Sequence, residues 1–225
     1  MDSRMLQRTL EPEVMDAPDE ADLYDAMDHD AVNQQFVRDL VAGGAVGPNV
    51  LDLGTGPAAI PILLCEAQPQ CRVVGVDASP SMLHLARHNV INAGYELSIQ
   101  LELTDAKVFE WNDDLFHTLI SNSLIHHVAN PETVVDSVTQ WLQPGGRVFI
   151  RDLVRPDDEA TIEHWVAKYA GNEPEYCQQL LRQSFHAALT LGEMRELVAR
   201  SGADPQCVMM TSDRHWTWDA VLPIT

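Results

Sequence analysis

Five apolar runs of strand length, at residues 49–53, 72–76, 98–103, 116–121 and 146–152, are separated by segments near 57–67, 80–93 and 131–142 that read as helices. Apolar runs bounded by turn residues suit strands covered on both faces. Strand and helix in regular alternation predict βαβ units, and therefore a parallel sheet with helices on both sides. Asn130-Pro131-Glu132 marks a helix start, with Asn130 as its cap. Thr190 to Gly202 reads as a helix that stops at glycine, and 206–211 and 215–220 as two last strands. No internal repeat, low-complexity stretch or linker divides the chain, so residues 1–225 are expected to fold as one domain, with 48–152 as its core and 190–225 as a C-terminal helix and strands.

Two segments exceed what the alternation needs. Residues 1–46 carry a mostly helical pattern (Leu23, Tyr24, Met27, Val32, Phe36, Val37, Leu40) interrupted near Asp28-His29-Asp30. Residues 154–189 are far longer than an ordinary connection and read as two or more helices broken at Gly171-Asn-Glu-Pro174, a lid over the strand ends. Trp165, Tyr169, Tyr176 and Phe185 in this insert form either a pocket wall or the packed core of the lid. Arg151, Arg155 and Arg182 either hold a substrate anion or pair with the chain's acids.

The chemistry concentrates at the ends of the strands. Val50-Leu-Asp-Leu-Gly-Thr-Gly-Pro-Ala58 is a strand entering a glycine turn that opens a helix. Gly54 and Gly56 let the backbone turn sharply and approach a ligand with no side chain between. Asp77 closes the next strand, about 20 residues on, where an acid holds the hydroxyls of a ribose. A dinucleotide site would show a third glycine and a helix start aimed at pyrophosphate. Here Asp52 sits just upstream of Gly54, Thr55 and Gly56, and an anion there suits a cationic ammonium or sulfonium instead.

The string resembles motif I of the class I S-adenosylmethionine-dependent methyltransferases, with Ala58 where a third glycine is usual. Four more segments follow in that family's order. Val76-Asp-Ala-Ser-Pro-Ser-Met82 resembles the second motif. The resemblance implies Asp77 and Ala78 beside the ribose and Met82 against the adenine, although Ser79-Pro80 also reads as a plain helix cap and Met82 as helix core. Asp105-Ala106 falls where the family binds the adenine amino group; a helix-capping aspartate is the other reading. Ser121-Asn122-Ser-Leu-Ile-His126-His127 resembles the small-molecule pattern at the fourth strand. Ser121 and Asn122 would lie beside the methionine portion, and His126 and His127 beside the reacting methyl, as a proton acceptor or as packing residues. Pro144-Gly145-Gly146 matches the turn before the fifth strand.

The resemblance therefore implies a Rossmann-like doubly wound α/β sheet of about seven mostly parallel strands with an antiparallel last strand, N-terminal helices and a helical lid. It implies an enzyme that transfers a methyl group from S-adenosylmethionine to a small-molecule acceptor by in-line displacement, leaving S-adenosylhomocysteine. Tyr24, in the N-terminal cover, would reach the cofactor, unless that helix only docks on the sheet. A cofactor-binding scaffold without turnover, or another enzyme using the same cofactor, shares the motif set. No metal is expected, because adjacent histidines on a helical turn point apart.

Charge narrows the acceptor. Fourteen Lys and Arg face 34 Asp and Glu, a net charge of -20. Such a field repels nucleic acid, whose binding rests on cations against phosphate. No apolar stretch is long enough for a membrane span. The start, Met-Asp-Ser-Arg and then acids, is not a secretory signal. Cys65, Cys71, Cys177 and Cys207 lack paired spacing and read as reduced thiols of a cytoplasmic protein. Oligomeric state is open.

Overall fold

The protein is described by a computed structural model covering residues 6–11 and 30–223. In chain order the elements are α1 (Asp30–Gly43), β1 (Asn49–Leu53), α2 (Ala59–Ala67), β2 (Arg72–Asp77), α3 (Pro80–Ala93), β3 (Ile99–Leu103), β4 (Phe116–Asn122), α4 (Glu132–Trp141), β5 (Leu142–Leu153), α5 (Glu159–Ala170), α6 (Glu175–Ala187), α7 (Leu191–Arg200), β6 (Val208–Met210) and β7 (His215–Val221), with 3-10 turns at Ile125–His127 and Pro205–Cys207. The strands form one seven-stranded sheet in the order β3-β2-β1-β4-β5-β7-β6. β1 is parallel to β2 and β4, β2 is parallel to β3, and β7 is antiparallel to β6. This is the doubly wound Rossmann-like sheet expected from the sequence.

The chain forms two compact units. Of the described residues, one is built from 30–122, 136–150 and 219–223. Its core joins Phe36, Val37 and Leu40 of α1 to Ile60 and Leu64 of α2 and to Val50, Val73, Ile120 and Phe149 of the strands. Phe36 meets Phe149 edge to face, with centroids 5.0 Å apart. Arg147 is buried here. Its guanidinium donates to both oxygens of Asp219 at 2.7 and 2.8 Å and to the carbonyls of Leu40 and Gly44.

The other unit comprises, of the described residues, 6–11, 123–135 and 151–218. The insert resolves into α5 and α6, which are broken as the glycine and proline at 171 and 174 required. Trp165 and Phe185 are buried against each other at 5.1 Å, so these two make a packed core rather than a pocket wall. Tyr169 instead donates to Asp213 and stacks under Arg214, and Tyr176 is exposed. Thr190 and Glu193 close a reciprocal capping box on α7. Arg155 pairs with Glu193 at 2.6 Å and Arg182 with Glu163 at 2.6 Å, which favours the ion-pair reading of both arginines.

Three boundaries differ from the sequence reading. α2 begins at Ala59, because Ala58 precedes it in a left-handed conformation (φ 64°) that cannot belong to the helix. β5 starts at Leu142, ahead of the Pro-Gly-Gly turn, although its continuously buried part begins at Gly146. In place of a strand from 206, a 3-10 turn capped by Asp204 occupies Pro205–Cys207 and β6 spans only Val208–Met210. The expectation for Tyr24, with Met27, Asp28 and His29, lies outside the described residues.

Candidate functional site

In the first of these units the β1–α2 turn is tied to the end of β2. Gly54 and Thr55 both donate their N–H to the Val76 carbonyl at 2.9 Å. Gly54 and Gly56 have φ of 70° and 52°, the left-handed region that glycine enters without strain. A Cβ on Gly56 would meet no heavy atom of the described residues within 4 Å, so among these residues the backbone is uncovered. Ala58 shares the left-handed conformation without glycine's freedom. The position of the family's third glycine is thus filled by a small residue in the backbone state a glycine would favour.

Asp77 is the hub of the turn. Gly56 N–H donates to its Oδ2 at 2.8 Å and Ser79 N–H to its Oδ1 at 2.9 Å. Burial raises its pKa, and the N–H groups of Ser79, Gly56 and Ala78 oppose the rise. A carboxylate has about four acceptor positions. The bonds from Gly56 and Ser79 do not use up these positions, which leaves acceptor capacity for a ligand hydroxyl. Ser79 caps α3 by accepting from Met82 N–H at 3.1 Å, with Pro80 in the first turn, as the cap reading expects, and this leaves the Asp77 carboxylate outside the helix. Met82 itself is buried.

Asp52 is 2% exposed. Burial lifts its pKa to about 7, with Thr55 opposing and Asp77 adding to the rise. Asp105 accepts from Lys107 N–H at 2.8 Å and pairs with the same lysine's Nζ at 3.3 Å, a cap of its own turn, with Ala106 buried beside it. Ser121 and Asn122 divide. The Ser121 hydroxyl is buried and donates to the Leu53 carbonyl at 2.8 Å, which ties β4 to β1. Asn122 Oδ1 is buried with no hydrogen-bond partner among the described residues. An orphaned acceptor of this kind carries a desolvation cost that a ligand donor relieves.

The paired histidines belong to the second unit, where they meet residues that sequence reasoning did not select. His126 Nδ1 lies 2.5 Å from Asp152 Oδ1, and His126 N–H donates to Asp152 Oδ2 at 3.0 Å. On its other edge His126 Nε2 stands 3.4 Å from Glu11 Oε1, and His127 Nδ1 stands 3.1 Å from the same oxygen. The two rings lie 4.2 Å apart, inclined by 33°. The premise that neighbouring imidazoles diverge therefore does not hold at this turn. It is a single 3-10 turn, and Asp152 fixes the His126 ring from below. Burial works against the imidazolium, but Asp152 and Glu11 outweigh it and raise the His126 pKa. Burial also opposes the charge on Asp152, whose pKa His126 nevertheless holds below the ordinary value. Glu11 is raised by burial.

Arg8 fastens the segment that delivers Glu11. Its guanidinium donates to the carbonyls of His126, Val128, Ala129 and Ala187, and Thr9 N–H donates to the His186 carbonyl at 3.0 Å. Asp152 had a sequence signal, as an acid at the end of the fifth strand. Glu11 and Arg8 had none, since their partners lie far away in the chain.

The sequence profile of the methyltransferase domain matches residues 46–215. Among curated relatives, the arsenite methyltransferase of Halobacterium salinarum is 34% identical over 122 residues, covering 52% of this chain and 31% of that protein. The ubiquinone biosynthesis O-methyltransferase of Azoarcus sp. is 33% identical over 50% of this chain and 47% of its own. The phosphoethanolamine N-methyltransferase of Triticum aestivum is 30% identical over 62% and 28%. The chain thus spans less than half the length of each of these three relatives. Among solved structures, a SAM-dependent methyltransferase from Aquifex aeolicus superposes with TM-score 0.67 at 13% identity, covering 92% of this chain and 98% of that one. The plantazolicin methyltransferase BpumL in complex with SAH superposes with TM-score 0.65 at 18% identity, covering 81% and 69%.

Proposed function

From the premise that this chain belongs to the methyltransferase domain family, we propose that it binds S-adenosylmethionine and transfers its methyl group to a small-molecule acceptor. The observation that carries this reading is the Asp77 carboxylate held between Gly56 and Ser79 N–H groups, next to a glycine backbone uncovered among the described residues. The orphaned Asn122 Oδ1 and the buried Asp52 carboxyl add acceptors for a cationic group. When bound, the cofactor supplies a methyl group already activated on a sulfonium. The protein's own task is then positioning and exclusion of water. Asp77 would hold the ribose, with Ala78 beside it. Gly54, Thr55 and Gly56 would give close backbone approach, Asp52 and Asn122 would face the methionine portion, and Met82, Asp105 and Ala106 would flank the adenine. Ser121 contributes by fixing β4 to β1.

On the acceptor side, His126 has one ring nitrogen on Asp152 and the other facing Glu11, and it is 3% exposed. It acts as a positioning residue. His127 is the more exposed of the pair, and in this reading it contacts the acceptor. The relatives are an arsenite methyltransferase, a phosphoethanolamine N-methyltransferase and an O-methyltransferase of ubiquinone biosynthesis, so the family alone does not choose the acceptor. A net charge of -20 argues against nucleic acid as acceptor. No helix among the described residues is long and apolar enough to cross a membrane, and buried thiols at Cys65, Cys71 and Cys177, outside any disulfide, suit a reducing cytoplasm.

Calorimetric titration with S-adenosylmethionine and S-adenosylhomocysteine tests the cofactor half. Micromolar binding of both is expected, and a folded sample that binds neither removes the reading. Transfer of labelled methyl across a panel of amines, phenols and thiols tests the acceptor half. Binding without transfer to any acceptor would favour a scaffold.

The same titration carries a pH prediction. The Asp52 carboxyl, at about 7 in the free protein, is protonated below that pH and must ionise to face a cation. A raised acid pKa means that the folded state holds a proton the unfolded chain has lost between pH 3.8 and 7, so Asp52's contribution to folding weakens as pH rises through that window. Cofactor affinity moves the other way. It is expected to climb from pH 5.5 to 7 by up to about tenfold per unit and to level off above. In Asp52→Asn the profile flattens. A wild-type profile that is flat over the same range contradicts this role for Asp52.

A further inference from the structure

Glu11, His126 and His127 present one oxygen and two imidazole nitrogens that all lie within 4.8 Å of one another. Two of the separations are 3.4 Å (His126 Nε2 to Glu11 Oε1) and 3.1 Å (His127 Nδ1 to Glu11 Oε1). Zinc bonds of about 2.0 to 2.2 Å to nitrogen and oxygen set the edge of a ligand tetrahedron at about 3.3 Å. The 3.4 Å contact is also long for a hydrogen bond. We infer that these three side chains form a binding site for a divalent transition metal of the zinc class. This goes beyond the methyl-transfer reading and does not depend on it.

Three features support a built site. Asp152 accepts the Nδ1 proton of His126, which fixes the tautomer with Nε2 open toward Glu11; a carboxylate behind a ligating histidine is the common support of zinc sites. Ser184 Oγ reaches both Glu11 oxygens, at 3.2 and 3.4 Å, and steadies that carboxylate in turn. Charge is also favourable. Glu11 and Asp152 bring two negative charges, while the nearby Arg8 guanidinium is turned onto the carbonyls of residues 126, 128, 129 and 187. The farther Arg155 is matched by Glu193. Counting Arg8, the surroundings keep one net negative charge, which favours a cation.

Imidazole and carboxylate without thiolate select zinc, cobalt or nickel over copper(I) and over magnesium. Three protein ligands leave one position for water or for a heteroatom of a small molecule. His127, 19% exposed where its partners are 3% and 6%, marks the side from which a metal enters. Coordination and proton acceptance compete for the same nitrogens, so a loaded site holds a cation where the bare one would hold a proton.

The test uses the full chain, stripped with chelator and titrated with zinc chloride against a chromophoric competitor, without S-adenosylmethionine present. One zinc per chain at submicromolar affinity is expected, and cobalt(II) should give the intense visible bands of a tetrahedral site. His127→Ala, a change at the most exposed ligand, should weaken zinc at least about 100-fold while circular dichroism stays unchanged. Asp152→Asn should weaken it about 10- to 100-fold. His164→Ala, outside the cluster, should change nothing. The inference is overturned if the wild type takes up no zinc below about 10 μM, or if a folded His127→Ala binds it as tightly as the wild type. Failure of cofactor binding would leave both results standing, so the two readings fail separately.

Discussion

Asp77→Ala lowers the affinity for S-adenosylmethionine and S-adenosylhomocysteine by about 100-fold or more, the largest loss expected from any single change in the cradle. Two effects combine. Hydrogen bonds to a charged acceptor contribute about 1.5 to 3 kcal/mol each, and a ribose would give two. Every 1.4 kcal/mol is about a factor of ten, so their loss alone reaches about 100-fold. The carboxylate also accepts from Gly56 and Ser79, and its removal frees the glycine turn as well as the ribose. Asp77→Asn separates the two. An amide keeps one acceptor and the local shape but loses the charge, and an intermediate loss of about tenfold is expected. Because S-adenosylhomocysteine lacks the sulfonium but keeps the ribose, both ligands should weaken in parallel. Calorimetry on folded protein decides the matter. Equal affinity in Asp77→Ala and wild type would break the ribose assignment.

Much of this cradle was legible in the sequence because it is local. The glycines, Asp52 and Asp77 sit on strand ends whose apolar runs set their own registers, and parallel pairing of β1 with β2 brings the two acids to one end of the sheet. The roles of Ser121 and Asn122 were less legible. Alternation along a strand puts neighbours on opposite faces, and only the structure reveals that Ser121 bonds Leu53 while Asn122 Oδ1 is the one left without a partner among the described residues. The histidine cluster was half legible. His126-His127 stood out, and Asp152 sits at the end of the fifth strand, yet the other partner, Glu11, comes from more than a hundred residues away. Glu11 lies in a segment without periodicity, held by Arg8 through backbone carbonyls, and carbonyls carry no sequence signal. Composition left the aromatic residues of the insert undivided. Trp165 and Phe185 pack on each other, whereas Tyr169 turns outward to Asp213, a division that aromatic content alone does not encode.

Arg147→Ala should be the most destabilising single change among the charged residues of the first unit, lowering stability by about 3 kcal/mol. The reasoning starts from scarcity, since the chain has 14 basic residues against 34 acidic ones. Most surface pairs here, such as Lys168 with Asp213, are solvated on both sides and contribute little. Arg147 differs because its side chain is buried and four hydrogen bonds leave it at once, two in a parallel fork to Asp219 and two to the carbonyls of Leu40 and Gly44. The Leu40 carbonyl lies in the last turn of α1, which has no basic residue of its own to receive it, and Gly44 is the residue just past the helix. The guanidinium therefore caps the helix as well as holding the C-terminal strand. Breaking a fully buried pair costs about 3 to 5 kcal/mol. Asp219, about a third exposed, recovers part of its solvation and sets the lower end. At about 2 to 4 °C per kcal/mol for a chain of this size, the melting temperature should fall by about 6 to 12 °C. Arg147→Lys should recover only part of it, because an ammonium cannot reproduce the fork and reach both carbonyls. Thermal unfolding of the three proteins side by side gives the answer, and an alanine variant that melts within 2 °C of wild type would mean that the fork and its two carbonyl bonds contribute almost nothing net.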